Sequence, residues 1–210
     1  DLHYPLRRQR QMCIRDRLGP GIAIGDINGD KIDDFVVGGA KDQPTAFYIQ
    51  KSDGSFYSKS FTFSKEHAKY EDMDMTLEDF DKDGDNDLYI VSGGNEFEPN
   101  TPILKDRLYI NDGNGSFNYN NSSLPDNFSS GMRVSSADFD KDGDIDLFVG
   151  GRVVPGSYPL PAESFLLENI SDANGIKFKN TDESIFSFKE IGLVTSSVWT
   201  DYNNDGWEDL

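Results

Sequence analysis

Apolar and polar residues alternate in four short stretches of the chain, and each stretch runs into a dense acidic segment. The alternating apolar positions are Ile22 and Ile24; Met73, Met75 and Leu77; Met132 and Val134; and Val194 and Val198. Side chains recurring at every second residue line one face of an extended strand. Beyond the first three acidic segments the pattern changes to DFVVGG, DLYIVSGG and DLFVGG, β-branched and aromatic runs that stop at paired glycines. These predict a second strand. A variable stretch then leads to AFYIQKSDGSF at 46–56, RLYINDGNGSF at 107–117 and SFLLENISDANGIKF at 164–178. Each reads as a third strand, a hairpin turn of the Asp-Gly or Asn-Gly type and an aromatic, with a weaker fourth strand after it.

The unit is therefore four strands long, and it repeats. The acidic segments align without gaps as DINGDKIDD at 26–34, DFDKDGDND at 79–87, DFDKDGDID at 138–146 and DYNNDGWED at 201–209, starting 53, 59 and 63 residues apart. Four-stranded units repeated around an axis are propeller blades. The expected fold is all-β: a partial β-propeller with three blades and the start of a fourth. Leu210 follows the last acidic segment directly, so the chain reads as a fragment of a larger ring.

Those 36 positions hold 18 of the 38 acidic residues and only three lysines. Carboxylates at alternate positions of a tight turn repel one another unless a cation neutralises them or they point into water. Oxygen ligands at positions one, three, five and nine, with a carbonyl from position seven, suit Ca²⁺. The expected ligands are Asp26, Asn28, Asp30, Asp34 and the carbonyl of Ile32; Asp79, Asp81, Asp83, Asp87 and the carbonyl of Asp85; Asp138, Asp140, Asp142, Asp146 and the carbonyl of Asp144; and Asp201, Asn203, Asp205, Asp209 and the carbonyl of Trp207. Glycine at position six permits the sharp turn, as at Gly84, Gly143 and Gly206, whereas the first copy carries Lys31. An EF-hand loop begins similarly, but it needs a glutamate at position twelve and flanking helices. Position twelve is Val37, Ile90 and Val149. The motif is a calcium loop inside a β-hairpin.

Charge and composition narrow the function. The net charge of −18 argues against nucleic acid or an anionic membrane as partner. No apolar run reaches the roughly 18 residues of a membrane span. Residues 1–17 differ from the rest, with five Arg against two Asp and the only Cys, Cys13. Their hexapeptide Met12–Arg17 resembles the translation of a transposon end used in sequencing-library preparation, so they read as non-native, with the domain beginning at residue 18. Catalytic motifs are missing: there is no G-x-S-x-G elbow, no P-loop and no H-E-x-x-H, and His67 in SKEHAKYE has no motif around it.

The nonapeptide preceded by a strand and followed by Phe148-Val149-Gly150-Gly151 or Phe35-Val36-Val37-Gly38-Gly39 resembles the FG-GAP/VCBS repeat, the calcium-binding blade of integrin α-subunit propellers and of many bacterial secreted proteins. The resemblance covers residues 18–210. GGNEFEPN, DRLYINDG and GGRVVPGSYPLP further resemble the ASPIC/UnbV and cartilage-acidic-protein-like group. It implies a propeller of about seven blades, bound Ca²⁺, and an extracellular, cell-surface or periplasmic location.

Connectivity assigns faces. The calcium loops and the third-to-fourth-strand turns share one face; the second-to-third-strand loops at 38–45, 92–106 and 150–163, with the blade crossings, occupy the other. Those longer loops carry Asn95, Glu96, Phe97, Arg152 and Tyr158. The aromatics either stack on a sugar or anchor a protein partner, or else pack beneath their own loops. The expected function is a non-catalytic calcium-binding module for adhesion or binding, with a protein or polysaccharide ligand on this face. The alternative is the scaffold of a secreted carbohydrate-active or hydrolytic enzyme whose catalytic residues lie elsewhere.

Overall fold

The computed structural model describes residues 20–120, 122–182, 188 and 191–210. Residues 1–17, read from sequence as a non-native segment, lie outside these. The first sheet holds β1 (Ile22–Gly25), β2 (Asp34–Val37), β3 (Ala46–Gln50) and β4 (Phe56–Lys59). The second holds β5 (Asp72–Glu78), β6 (Asp87–Ser92), β7 (Arg107–Asn111) and β8 (Phe117–Asn120). The third holds β9 (Gly131–Ala137), β10 (Asp146–Gly151), β11 (Phe165–Asn169) and β12 (Phe178–Asn180). In each sheet the strands pair in chain order and antiparallel, with Ile24 opposite Phe35, Met75 opposite Ile90 and Ser135 opposite Phe148. These are three blades of a partial propeller.

The blades stack through their first strands, β1 on β5 and β5 on β9. Alternation in the strands supplies two cores, and each lies between blades. Ala23, Val36, Phe47 and Ile49 of the first blade meet Met75, Leu77, Leu88 and Ile90 of the second. From its other face the second blade sends Met73, Tyr89, Val91 and Leu108 against Leu147, Val149, Leu167 and Phe178 of the third. The middle strand β6 is buried along its whole length because both faces are covered. Close approach needs the paired glycines: a Cβ on Gly93 would lie 2.4 Å from the Gly131 carbonyl oxygen.

Two features differ from the sequence reading. The first crossing contains a five-residue helix, α1 (Thr62–Glu66), flanked by Phe61. Phe61 and Phe63 pack on the first core, with Phe61 4.6 Å from Phe47 between ring centroids. In the fourth repeat, Val194 and Val198 do not form a strand. Among the described residues the only ladder contact there is an isolated bridge between Thr200 and Asp209. A strand requires a hydrogen-bonded neighbour, and the pairing begins and ends at that bridge. The stretch instead leans on the third blade: Val194 N–H donates to the Gly151 carbonyl at 3.0 Å, and the Trp199 indole donates to the Ser135 carbonyl at 3.3 Å.

Candidate metal centres

Each nonapeptide is wound by its own side chains. The position-one carboxylate accepts from the backbone N–H of position six in every copy: Lys31 to Asp26 (2.7 Å), Gly84 to Asp79 (3.0 Å), Gly143 to Asp138 (3.0 Å) and Gly206 to Asp201 (2.8 Å). Position three accepts from position five, as in Asp30 N–H to Asn28 (2.9 Å) and Asp205 N–H to Asn203 (2.8 Å). Position five accepts from position seven, as in Asp144 N–H to Asp142 (2.9 Å) and Trp207 N–H to Asp205 (2.8 Å). Short polar side chains that bond backbone amides two residues on are the usual makers of tight turns. The turn requires left-handed backbone at position six, where φ is 67° at Lys31, 96° at Gly84, 90° at Gly143 and 85° at Gly206. Position four is left-handed too, at Gly29, Lys82, Lys141 and Asn204. The sequence reading missed that second requirement, although Gly29 and Asn204 are residue types that favour it.

The winding aims carboxylates at common points. Oxygens of Asp79, Asp81 and Asp83 lie within 4.8 Å of one another, as do those of Asp138, Asp140 and Asp146. One oxygen of Asp138 is buried with no hydrogen-bond partner, an orphaned acceptor that a bound cation would satisfy. Burial raises the carboxyls of Asp81 and Asp140 above the ordinary carboxylate value, with neighbouring loop carboxylates adding to the shift. A cluster that resists holding all its charges at once is a place for a cation, and a set made only of oxygens suits a hard one.

Position nine has a second job. Asp34, Asp87 and Asp146 are each only 1% exposed. Each carboxylate joins one backbone amide of its own loop and one at the end of the third strand: Ile27 and Gln50 to Asp34, Phe80 and Asn111 to Asp87, Phe139 and Asn169 to Asp146. Burial pushes Asp87 and Asp146 each up to about 7. These residues pin the loop to the third strand as well as facing it.

Two asparagines that the sequence reading overlooked complete the arrangement. Asn111 and Asn169 end the third strands of their blades, nearly excluded from solvent. The Asn111 amide donates to the carbonyls of Ile27, in the preceding blade's loop, and Asn86, in its own, at 2.9 and 3.1 Å. Asn169 does the same with Phe80 and Ile145 at 2.9 and 3.2 Å. The acidic loops and the third-to-fourth-strand turns therefore lie on one face, as connectivity predicts.

The other face is formed by the second-to-third-strand loops, which touch each other. Gly156 N–H donates to the Asn95 side chain at 3.0 Å, and Lys41 pairs with Glu96 at 3.4 Å. Phe97 is half-buried, with the Lys41 ammonium 5.4 Å from its ring centroid. Arg152 is also half-buried, and Tyr158 is 49% exposed. Between the second and third blades this face opens into a cleft of about 440 Å³, whose walls include Asn100, Asp126, Phe128, Pro155, Glu163 and Phe165.

One further polar cluster lies between the first two blades. Arg107 pairs with Asp72 at 2.5 Å, stacks over Tyr70 at 4.4 Å, and stands near Tyr109, whose hydroxyl lies 2.7 Å from His67 Nδ1. Here Arg107 is 1% exposed and Tyr109 0%, so the two groups at its centre are sealed from any substrate. The pair has a structural role: Asp72 also accepts from Gly39 N–H and the Thr45 hydroxyl of the first blade, both at 2.7 Å.

Among the described residues no helix is long and apolar enough to cross a membrane. No curated protein matches the chain. The FG-GAP-like repeat matches twice, at residues 26–90 and 79–149, each match running from one acidic nonapeptide into the next blade. With that repeat spanning more than half of its length, and with its blades built as three successive four-stranded sheets, the chain belongs to the FG-GAP-like repeat family.

Proposed function

We propose that this protein is a calcium-stabilised, non-catalytic propeller module acting outside the cytoplasm in binding or adhesion, with its ligand held on the face of the second-to-third-strand loops. The observation that carries the reading is the division of labour between the faces. On one face the carboxylates are turned inward on their own loops. On the other, the long loops that carry the half-buried Phe97 and Arg152 and the exposed Tyr158 also help to wall a cleft whose size falls in the range of ligand sites. Ca²⁺ would be held in each loop by the carboxylates or amides of positions one, three, five and nine and the carbonyl of position seven. When bound it supplies charge neutralisation, and the chain's own residues do the rest by holding the loop wound. Sites of this kind fill readily in extracellular calcium. Within the family, GGNEFEPN and GGRVVPGSYPLP support placement in the ASPIC/UnbV and cartilage-acidic-protein-like group.

The test is an array of immobilised glycans and extracellular proteins probed in Ca²⁺. The wild-type chain is expected to be retained on at least one of them. The F97A/R152A/Y158A variant should lose that retention while keeping its calcium-dependent melting. The D81A/D83A variant should melt lower and lose binding only by unfolding. Retention by no spot on the array, or its loss in a still-folded D81A/D83A variant alone, overturns the reading.

A further inference from the structure

The left-handed backbone at position four has a consequence for the neighbouring loop. The Lys82 ammonium, at position four of the second loop, forms an ion pair with Asp144, at position seven of the third. Lys141, at position four of the third loop, repeats the offset: its ammonium sits 4.0 Å from the ring centroid of Trp207, at position seven of the fourth. The second and third loops thus each extend a cation onto the next. Paired with Asp144, the Lys82 ammonium stands in the field of the third loop's carboxylates. Between the first and second loops the device is missing. Position four there is Gly29, where a Cβ would lie 2.9 Å from the Gly113 carbonyl oxygen, and Asp85, at position seven of the second loop, keeps one buried oxygen without a partner.

We propose that Lys82 is a tethered counter-ion of the third loop, neutralising it when no metal is bound and competing with Ca²⁺ for it, so that one blade's loop sets the calcium affinity of the next. The proposal rests on the reading of the loops as calcium sites. An ammonium fixed beside a doubly charged ion repels it, and at a solvent-exposed site this is worth on the order of 3- to 10-fold in affinity at low salt, fading as salt screens it. The same ammonium offsets carboxylate repulsion in the metal-free loop. Removing it therefore has opposite effects on the two states: tighter binding, and a less stable metal-free protein.

The experiment is calorimetric titration of the full chain with Ca²⁺ at low ionic strength, paired with melting in EGTA. The variants are Lys82→Met, Lys82→Gln and Lys82→Arg, each alone and combined with Asp138→Ala, which disables the third loop by removing the position-one carboxylate that all four loops carry. All keep a non-glycine residue at position four, so left-handed strain is the same throughout. Lys82→Met and Lys82→Gln should each tighten one class of site by 3- to 10-fold and lower the melting temperature in EGTA, and Lys82→Arg should behave as wild type. With Asp138→Ala in place, none of the three should change the isotherm. Calcium binding that Lys82→Met and Lys82→Gln leave unchanged overturns this proposal alone. So does tightening that persists beside Asp138→Ala. A wild-type chain that binds no Ca²⁺ overturns the proposal together with the reading beneath it.

Discussion

The side-chain amide of Asn169 donates to the carbonyl oxygen of Phe80 at 2.9 Å, from the end of one blade's third strand to the acidic loop of the blade before it. Asn111 stands in the same relation to Ile27. In both cases the asparagine backbone N–H also bonds the position-nine carboxylate of its own blade. One residue therefore ties its own loop to the preceding loop, and the acidic face is continuous from blade to blade.

Replacing Asn169 with Ala should destabilise the protein by on the order of 2 kcal/mol, because the buried Phe80 carbonyl and the part-buried Ile145 carbonyl both lose their donor. Asn111→Ala should cost a similar amount. Gln50, at the same register in the first blade, keeps its backbone bond to Asp34 after truncation. Gln50→Ala should thus cost about 0.5 kcal/mol or less, the usual range for a substitution away from such a buried network. Urea denaturation of the three variants checks the ordering; equal costs for Asn169 and Gln50 would remove the inter-blade role.

Lys31 occupies a left-handed position that its three counterparts fill with glycine, and a side chain with a Cβ pays roughly 1–2 kcal/mol for that conformation. Its backbone N–H bond to Asp26 does not depend on the side chain. Lys31→Gly should stabilise the protein by about 1 kcal/mol, less than the full conformational gain because glycine is also freer when unfolded. The reverse change, Gly84→Ala, should destabilise it by a similar amount through strain alone, since nothing lies within 4 Å of the added Cβ. Melting temperatures in EGTA measure both, and the two substitutions must move in opposite directions.

The metal-free protein should lose stability as pH rises. Burial pushes Asp87 and Asp146 to about 7 in the folded state, and burial with neighbouring loop carboxylates pushes Asp85 to about 6. In the unfolded chain these groups ionise near 4. The folded protein thus holds protons that the unfolded chain has released, and the stability this contributes is complete below pH 4 and gone once pH has passed through 6 to 7. In EGTA the melting temperature should fall between about pH 5 and pH 8, and saturating Ca²⁺ should weaken the fall. A melting temperature that rises with pH in EGTA would contradict the raised values.

The local plan of the molecule was legible because its signals are short-range. Period-two apolar positions such as Met73, Met75 and Leu77, Gly-Gly stops and Asp-Gly turns each act within a few residues, and their recurrence at 26, 79, 138 and 201 assigned four strands to each blade. The winding of the nonapeptides is equally local, since their side chains bond amides two to five residues away. Helix α1 escaped because five residues carry too little periodicity to separate from a loop; Phe61 and Phe63 are held there by a core that the crossing completes. Val194 and Val198 carry the strand pattern, yet alternation expresses only a preference, and ladder partners decide whether it is realised.

What the sequence determined by itself is thus the repeat, the meander within each blade and the acidic loops. What only the tertiary structure decided is everything that passes between blades: Asn169 reaching Phe80, Asp72 accepting from Gly39 and Thr45, and Lys82 extended onto Asp144. These contacts join residues from 27 to 89 positions apart, at the ends of strands or the tips of turns, where no periodicity marks them. They exist because a blade with apolar residues on both faces is covered only by stacking on its neighbours, and stacking brings polar strand ends together that must then find partners or remain buried without them.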